Sequence, residues 1–200
     1  MGATNETHLN DGKSASALLV IDMQLVAFDG AVTPPIVDGA QLLESVARLI
    51  DGCRKHGIAV VYVQTSAAPG QPYAADVHGW EIHPRISPRG GDPVVAKRAS
   101  SAFDGTSLTR VLRGPGIEEL LVCGIWSEHC VANTTIDAVQ LGFRVVVVGD
   151  GHGTVASTVG EARRIVDEQN RRLSQAGASL STVNELLNRA AAPGPGSADH

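Results

Sequence analysis

Glu119-Leu120-Leu121-Val122-Cys123, running on into Gly124-Ile125-Trp126-Ser127-Glu128-His129-Cys130-Val131, reads as a buried strand that ends where a helix begins. The apolar run is short and unbroken, as in a strand covered on both faces. The helical pattern that follows spans about 130–140. Working outward, the same alternation recurs. Residues 17–21 (Ala-Leu-Leu-Val-Ile) and 58–64 read as buried strands. Between them Leu42, Leu43, Val46, Leu49, Ile50 and Cys53 recur at helical spacing, and Gly57 closes that segment. Further strands are expected at 93–96, 143–148 and 178–183, with helices at 106–113 and 159–176. Alternation of this kind predicts an α/β fold: a doubly wound, mostly parallel six-stranded sheet with helices on both faces, Rossmann-like in architecture. One domain is expected over 17–190, between a loose polar leader at 1–16 and a Pro/Gly-rich tail at 191–200.

Composition narrows the function. A hydrophobic content of 43% over 200 residues supports a sizeable core. A net charge of −5 without a basic run argues against nucleic acid as a partner. No apolar stretch is long enough to span a membrane, and no secretory signal is visible. Three cysteines, Cys53, Cys123 and Cys130, form an odd count without metal-ligand spacing, which points to a reduced, cytoplasmic protein. The Pro-, Gly- and His-rich stretch 65–92 is too long for a simple connection and is expected to form a lid or a pocket wall.

Ligands of a doubly wound sheet bind at the carboxyl ends of its strands. Asp22, Lys97 and Cys130 each fall just past the end of a different expected strand. A cysteine at a helix N-terminus is expected to have its pKa lowered, and the free N–H groups there can receive an oxyanion. Asp22 is suited to take the thiol proton and return it to a leaving nitrogen. Lys97 supplies a cation favouring the charged forms of both. Singly, each has a plainer reading, as a turn cap, a solvated charge and a small buried hydrophobe. Their meeting at one sheet edge favours catalysis.

Ile21-Asp22-Met23-Gln24, Lys97 leading into Ser101-Ala102-Phe103-Asp104-Gly105-Thr106, and Gly124 through Val131 with Thr134 and Ala138 resemble, in order and spacing, the isochorismatase-like cysteine hydrolases. The resemblance runs from about Leu18 to Asp150. It implies an Asp-Lys-Cys triad carried by Asp22, Lys97 and Cys130. It also implies a non-proline cis peptide at Ile125–Trp126, turning the Trp126 N–H toward the oxyanion beside that of Cys130. The implied reaction is hydrolysis of a C–N bond in a small amide, imide or ureido compound through a thioester, without a cofactor. Relatives lacking the cysteine cleave a vinyl ether, which is the alternative activity. A non-catalytic binding protein of the same fold is the alternative outside enzymes. A homo-oligomer, dimer or tetramer, is expected on the resemblance alone.

Other residues carry weaker signals. Trp126 and Phe28 are candidate pocket walls, and His152 a candidate substrate contact whose plainer reading is a turn residue. Asp76, His78 and His83 have the residue types of the metal ligands of nicotinamidases. Here they sit well into the loop, so ordinary loop polarity is the default and no metal is expected. His129 neighbours the cysteine on a helix, where adjacent side chains do not face each other, so it is assigned to the surface or an interface rather than to catalysis. The alternating Gly149, Gly151 and Gly153 lack the full dinucleotide fingerprint.

Overall fold

The computed structural model describes residues 15–191. Most of the expected leader and tail therefore lie outside the described residues. Ala15 and Ser16 open the first strand, and Ala191 closes the last helix. The strands are β1 (Ala15–Ile21), β2 (Ala59–Thr65), β3 (Val94–Lys97), β4 (Ile117–Ile125), β5 (Arg144–Gly153) and β6 (Ser179–Ser181). They form one sheet in the order β3-β2-β1-β4-β5-β6, parallel throughout. This is the doubly wound order, with its switch between β1 and β4. The chain leaves β1 toward β2 and β3, then returns to pair β4 with the other edge of β1.

The helices are α1 (Gly39–Lys55), α2 (Leu108–Arg113), α3 (Ala132–Gln140), α4 (Val159–Gln175) and α5 (Val183–Ala191). Strand alternation splits the core in two. Leu18, Val20, Tyr62, Leu121 and Val148 face a layer containing Leu42, Val46 and Leu49 of α1 and Leu186 of α5. Ala17, Leu19, Ile21, Val61 and Val147 face the opposite layer, with Leu108 and Leu112 of α2, Ala138 of α3 and Leu173 of α4. Helices thus cover both faces, which is why the strands read as unbroken apolar runs.

Among the boundaries that differ from expectation, three have a clear physical reason. β5 continues to Gly153, because its register with β4 jumps from Val122↔Val147 to Gly124↔His152. That irregularity lets the strand resume beyond Gly149, whose glycine-rich surroundings look like a turn in sequence. His152 is therefore a strand residue. The last strand is only three residues long, and Val183 begins α5 instead. The signal was present in Thr182 and Glu185. The Glu185 N–H donates to Thr182 Oγ1 at 3.2 Å, and the Thr182 N–H to Glu185 Oε2 at 2.7 Å, a reciprocal cap. Finally, the helix carrying Cys130 starts earlier than Cys130 itself, with a π-helical turn over Ser127–Val131 that leads into α3.

Candidate active site

Asp22 follows β1 immediately, and its backbone turns into the left-handed region at φ 53°. Aspartate tolerates that conformation better than most residues, and such outliers gather at functional sites. The turn is held by the Asp22 N–H donating to Val63 O at 2.9 Å. Lys97 is the last residue of β3, in register with Thr65 at the end of β2. β3 alternates exposed and buried positions and turns Val95 and Lys97 inward. Cys130 is the fourth residue of the π turn, beyond β4 on the other side of β1.

These elements bring three side chains to one point. Lys97 Nζ lies 2.8 Å from Asp22 Oδ2 and 3.2 Å from Cys130 Sγ. Lys97 and Asp22 are only 2% and 4% exposed. Nζ also donates to Thr65 Oγ1 at 2.8 Å and Ala99 O at 3.1 Å, and the Thr65 hydroxyl donates to Asp22 Oδ1 at 3.0 Å. Thr65 is thus a fourth member of the network that the sequence reading missed. Its signal was positional: Thr65 ends the strand beside the one ending in Lys97.

Burial dominates the electrostatics. It raises the Asp22 carboxyl above its ordinary range, against the opposing pull of Lys97. Burial works to lower the Lys97 pKa, but Asp22 and Cys130 outweigh it and the ammonium is held more firmly than usual. The Cys130 thiol is pushed up to about 11, chiefly by burial and then by Asp22, with Lys97 opposing. This corrects the expectation of a thiol acidified by a helix N-terminus. Cys130 sits inside the turn and packs against the apolar layer, so exclusion of water disfavours its thiolate. The resting arrangement is a neutral thiol beside an ion pair whose carboxylate is a stronger base than an ordinary aspartate.

A cavity of about 280 Å³ opens onto this group, with Tyr73, Trp126, Arg98 and His129 in its wall. Trp126 lines the cavity, and the Ile125–Trp126 peptide is cis. His129 is exposed at the rim. Tyr73, from the irregular stretch after β2, was missed by the sequence reading. It is 8% exposed and also carries a left-handed backbone, φ 68°. So part of 65–92 does form a pocket wall.

Two expected pocket residues lie elsewhere. Phe28 packs edge-on to His83, with ring centroids 5.4 Å apart, outside the cavity lining. His152 is buried in β5, its ring bonded to Ser127 Oγ at 2.8 Å and Asn170 Oδ1 at 2.9 Å. Burial lowers its pKa, so it is a neutral tie between β5, the π turn and α4. Asp76, His78 and His83 do not converge. Asp76 accepts from the Gly70 N–H, His78 pairs with Asp29 at 2.6 Å, and His83 Nδ1 accepts from the Arg85 N–H.

The isochorismatase domain profile matches residues 16–187. A streptothricin hydrolase of Streptomyces noursei is 39% identical over 138 residues, covering 69% of this chain and 49% of its own length. The chain spans about half the length of the streptothricin hydrolases it matches. A maleamate amidohydrolase of Pseudomonas putida is 31% identical, over 68% of this chain and 73% of its own. Among solved structures, the N-carbamoylsarcosine amidase of Thermoplasma acidophilum superposes with a TM-score of 0.72 at 27% identity, covering 85% of this chain and 97% of that one.

Proposed function

This chain belongs to the isochorismatase family of hydrolases, and on that premise we propose that it cleaves a C–N bond of a small amide, imide or ureido compound through a thioester on Cys130. The observation that carries the reading is Lys97 Nζ standing between Asp22 Oδ2 and Cys130 Sγ, at 2.8 and 3.2 Å, on the wall of a cavity of about 280 Å³. Relatives whose names denote amide hydrolysis support the same class of reaction.

In this mechanism Asp22 takes the proton from Cys130 as Sγ attacks the substrate carbonyl carbon. The raised basicity of a buried carboxylate suits it to a thiol that is itself reluctant to ionise. Lys97 stays protonated and balances the negative charge wherever it resides, first on Asp22 and then on sulfur. The N–H groups of Trp126, just before the turn, and of Cys130, within it, receive the oxyanion, a contribution of about 10²- to 10³-fold per donor. Collapse of the tetrahedral intermediate breaks the C–N bond, and Asp22 returns its proton to the departing nitrogen. Water, deprotonated by Asp22, then cleaves the thioester and the thiol is reformed. Every step uses the chain's own residues, so the reading is metal-independent. The separate partners of Asp76, His78 and His83 are in keeping with that. A cytoplasmic location and a homo-oligomeric state belong to the same proposal, resting on the free cysteines and on the family resemblance respectively.

The test is ammonia or amine release across a panel of small amides, imides, ureides and carbamoyl amino acids, with Cys130→Ala in parallel. Release that disappears in the variant supports the thioester route. Release that survives Cys130→Ala but not Asp22→Asn would overturn it in favour of direct attack by a water that Asp22 activates, and silence across the panel would overturn it in favour of vinyl ether cleavage or a non-catalytic role.

A further inference from the structure

The turn that presents Cys130 is fastened at its root by side chains the mechanism leaves unused. β5 reaches that root only because its register with β4 jumps between Val122 and Gly124. Beyond the jump His152 pairs with Gly124 and Gly153 with Ile125, the residue that enters the cis peptide. Ser127, the first residue of the turn, is fully buried, and its Oγ lies 2.8 Å from His152 Nδ1. Thr154, one residue past β5, donates to Glu128 Oε1 at 2.7 Å. Inside the turn, Trp126 O accepts from the His129 and Val131 N–H groups, both at 3.1 Å. Those bonds give the turn its shape, whereas Ser127 and Glu128 fix it against the sheet.

The direction of each hydrogen bond follows from its far end. Gly149 O can only accept, so Asn170 turns its Nδ2 there, at 3.2 Å, and its Oδ1 toward His152 Nε2, at 2.9 Å. Nε2 must then carry the ring proton, which leaves Nδ1 as an acceptor and the Ser127 hydroxyl as its donor. Burial disfavours the imidazolium, in keeping with this neutral tautomer. Donation therefore runs one way, from Ser127 to His152, on to Asn170 of α4 and back to the β5 backbone. A buried chain in which each link is satisfied is a stiff one.

Asp22 follows β1 and Lys97 ends β3, on one side of β4, while β5 lies on the other. The turn is thus held from the side opposite its catalytic partners. Resting on the thioester reading of this site, we propose that His152 is a positioning residue: backed by Asn170, it anchors Ser127 and keeps Cys130 Sγ within reach of Lys97 and Asp22. It acts through Ser127, and the cavity that holds Cys130 is lined by none of Ser127, His152 and Asn170. A displaced thiol loses burial and Asp22, which both raise its pKa, together with Lys97, which lowers it. The net change is toward the ordinary 9.0, so a loosened Cys130 ionises more readily and yet catalyses more slowly.

Ser127→Ala, His152→Leu and His152→Asn are compared with wild type at a temperature where all four are folded. Iodoacetamide labelling at about pH 8 is followed by mass spectrometry, cysteine by cysteine. In Ser127→Ala and His152→Leu, Cys130 is expected to label about tenfold faster, as a correspondingly larger thiolate fraction requires. Their kcat is expected to fall at least about tenfold with KM within about twofold, because no substrate contact is lost. His152→Asn can place its Oδ1 near the position of Nδ1, accept from Ser127 and recover most of both. Cys53 and Cys123, 3% and 0% exposed, should stay unlabelled throughout. Cys130 labelling that is unchanged or slower, a wild-type kcat, labelling of all three cysteines together, or equal effects of His152→Asn and His152→Leu would each overturn the proposal. Labelling needs no substrate, so its failure is distinct from failure of the thioester reading, which the wild-type release assay decides.

Discussion

The Thr65 hydroxyl donates to Asp22 Oδ1 at 3.0 Å across 43 residues of sequence, while accepting from Lys97 Nζ at 2.8 Å. One oxygen thereby joins the two halves of the ion pair and fixes the second carboxylate oxygen, leaving Oδ2 to Lys97. Thr65→Val keeps the shape and removes both bonds. It is expected to lower kcat/KM by about ten- to a hundredfold and stability by about 1 to 3 kcal/mol, since charge-assisted hydrogen bonds are lost. Thr65→Ser should recover most of both. Steady-state rates and denaturant melts of the two variants check this, and a Val variant with wild-type rates would remove Thr65 from the mechanism.

The Asp22–Lys97 pair is almost fully buried, so each member depends on the other. Lys97→Met leaves a carboxylate without a counter-charge and should cost about 3 to 5 kcal/mol. Adding Asp22→Asn removes that stranded charge and should restore most of the loss, while both proteins stay inactive. Urea unfolding of the single and double variants measures the coupling. Additive losses would show that the two charges do not stabilise each other.

Protonation should shape both rate and stability. Asp22 acts as a base, so its protonation stops the reaction, and its raised pKa places the acid limb of kcat/KM above the ordinary aspartate value of 3.8. For the thiol the folded pKa is raised from 9.0 to about 11, so its neutral form contributes stability below pH 9 that is lost as pH rises toward 11. The difference in melting temperature between wild type and Cys130→Ala, followed across that window, should shift against the wild type. A difference constant with pH would contradict the raised thiol.

Gly124 lies where β4 meets the turn carrying Cys130, at φ 124°, and a Cβ there would stand 2.1 Å from Ile21 O, one residue before Asp22. Gly124→Ala must push the two strand ends apart, at a cost of about 3 kcal/mol or more, and should lower activity by separating Asp22 from Cys130. Gly105→Ala is a fair control: its φ is also positive, at 64°, but nothing lies within 4 Å, so only the backbone penalty of about 1 to 2 kcal/mol applies. Comparable losses in the two variants, by thermal melts, would refute the close-approach argument.

The sequence by itself determined the parts of this protein that depend on local pattern. Apolar runs such as Ala17 to Ile21 and Leu120 to Cys123 need helices on both sides of the sheet, and that requirement alone yields a parallel α/β fold. Placing Asp22, Lys97 and Cys130 near strand ends put them at one edge, because all parallel strands point the same way. What lay beyond reach depended on contacts between distant segments. His152 reads as a turn residue until the β4–β5 register jump returns it to the sheet. The strength of the thiol is set by how much water is excluded from Cys130, which the helix-start motif does not encode. Thr65 joins the network through strand register, and Tyr73 reaches the cavity from a loop whose path no period predicts. Motifs and hydrophobic patterns are carried by neighbours along the chain. Burial, register and hydrogen-bond networks arise only when the whole chain has packed, so the tertiary structure alone decided them.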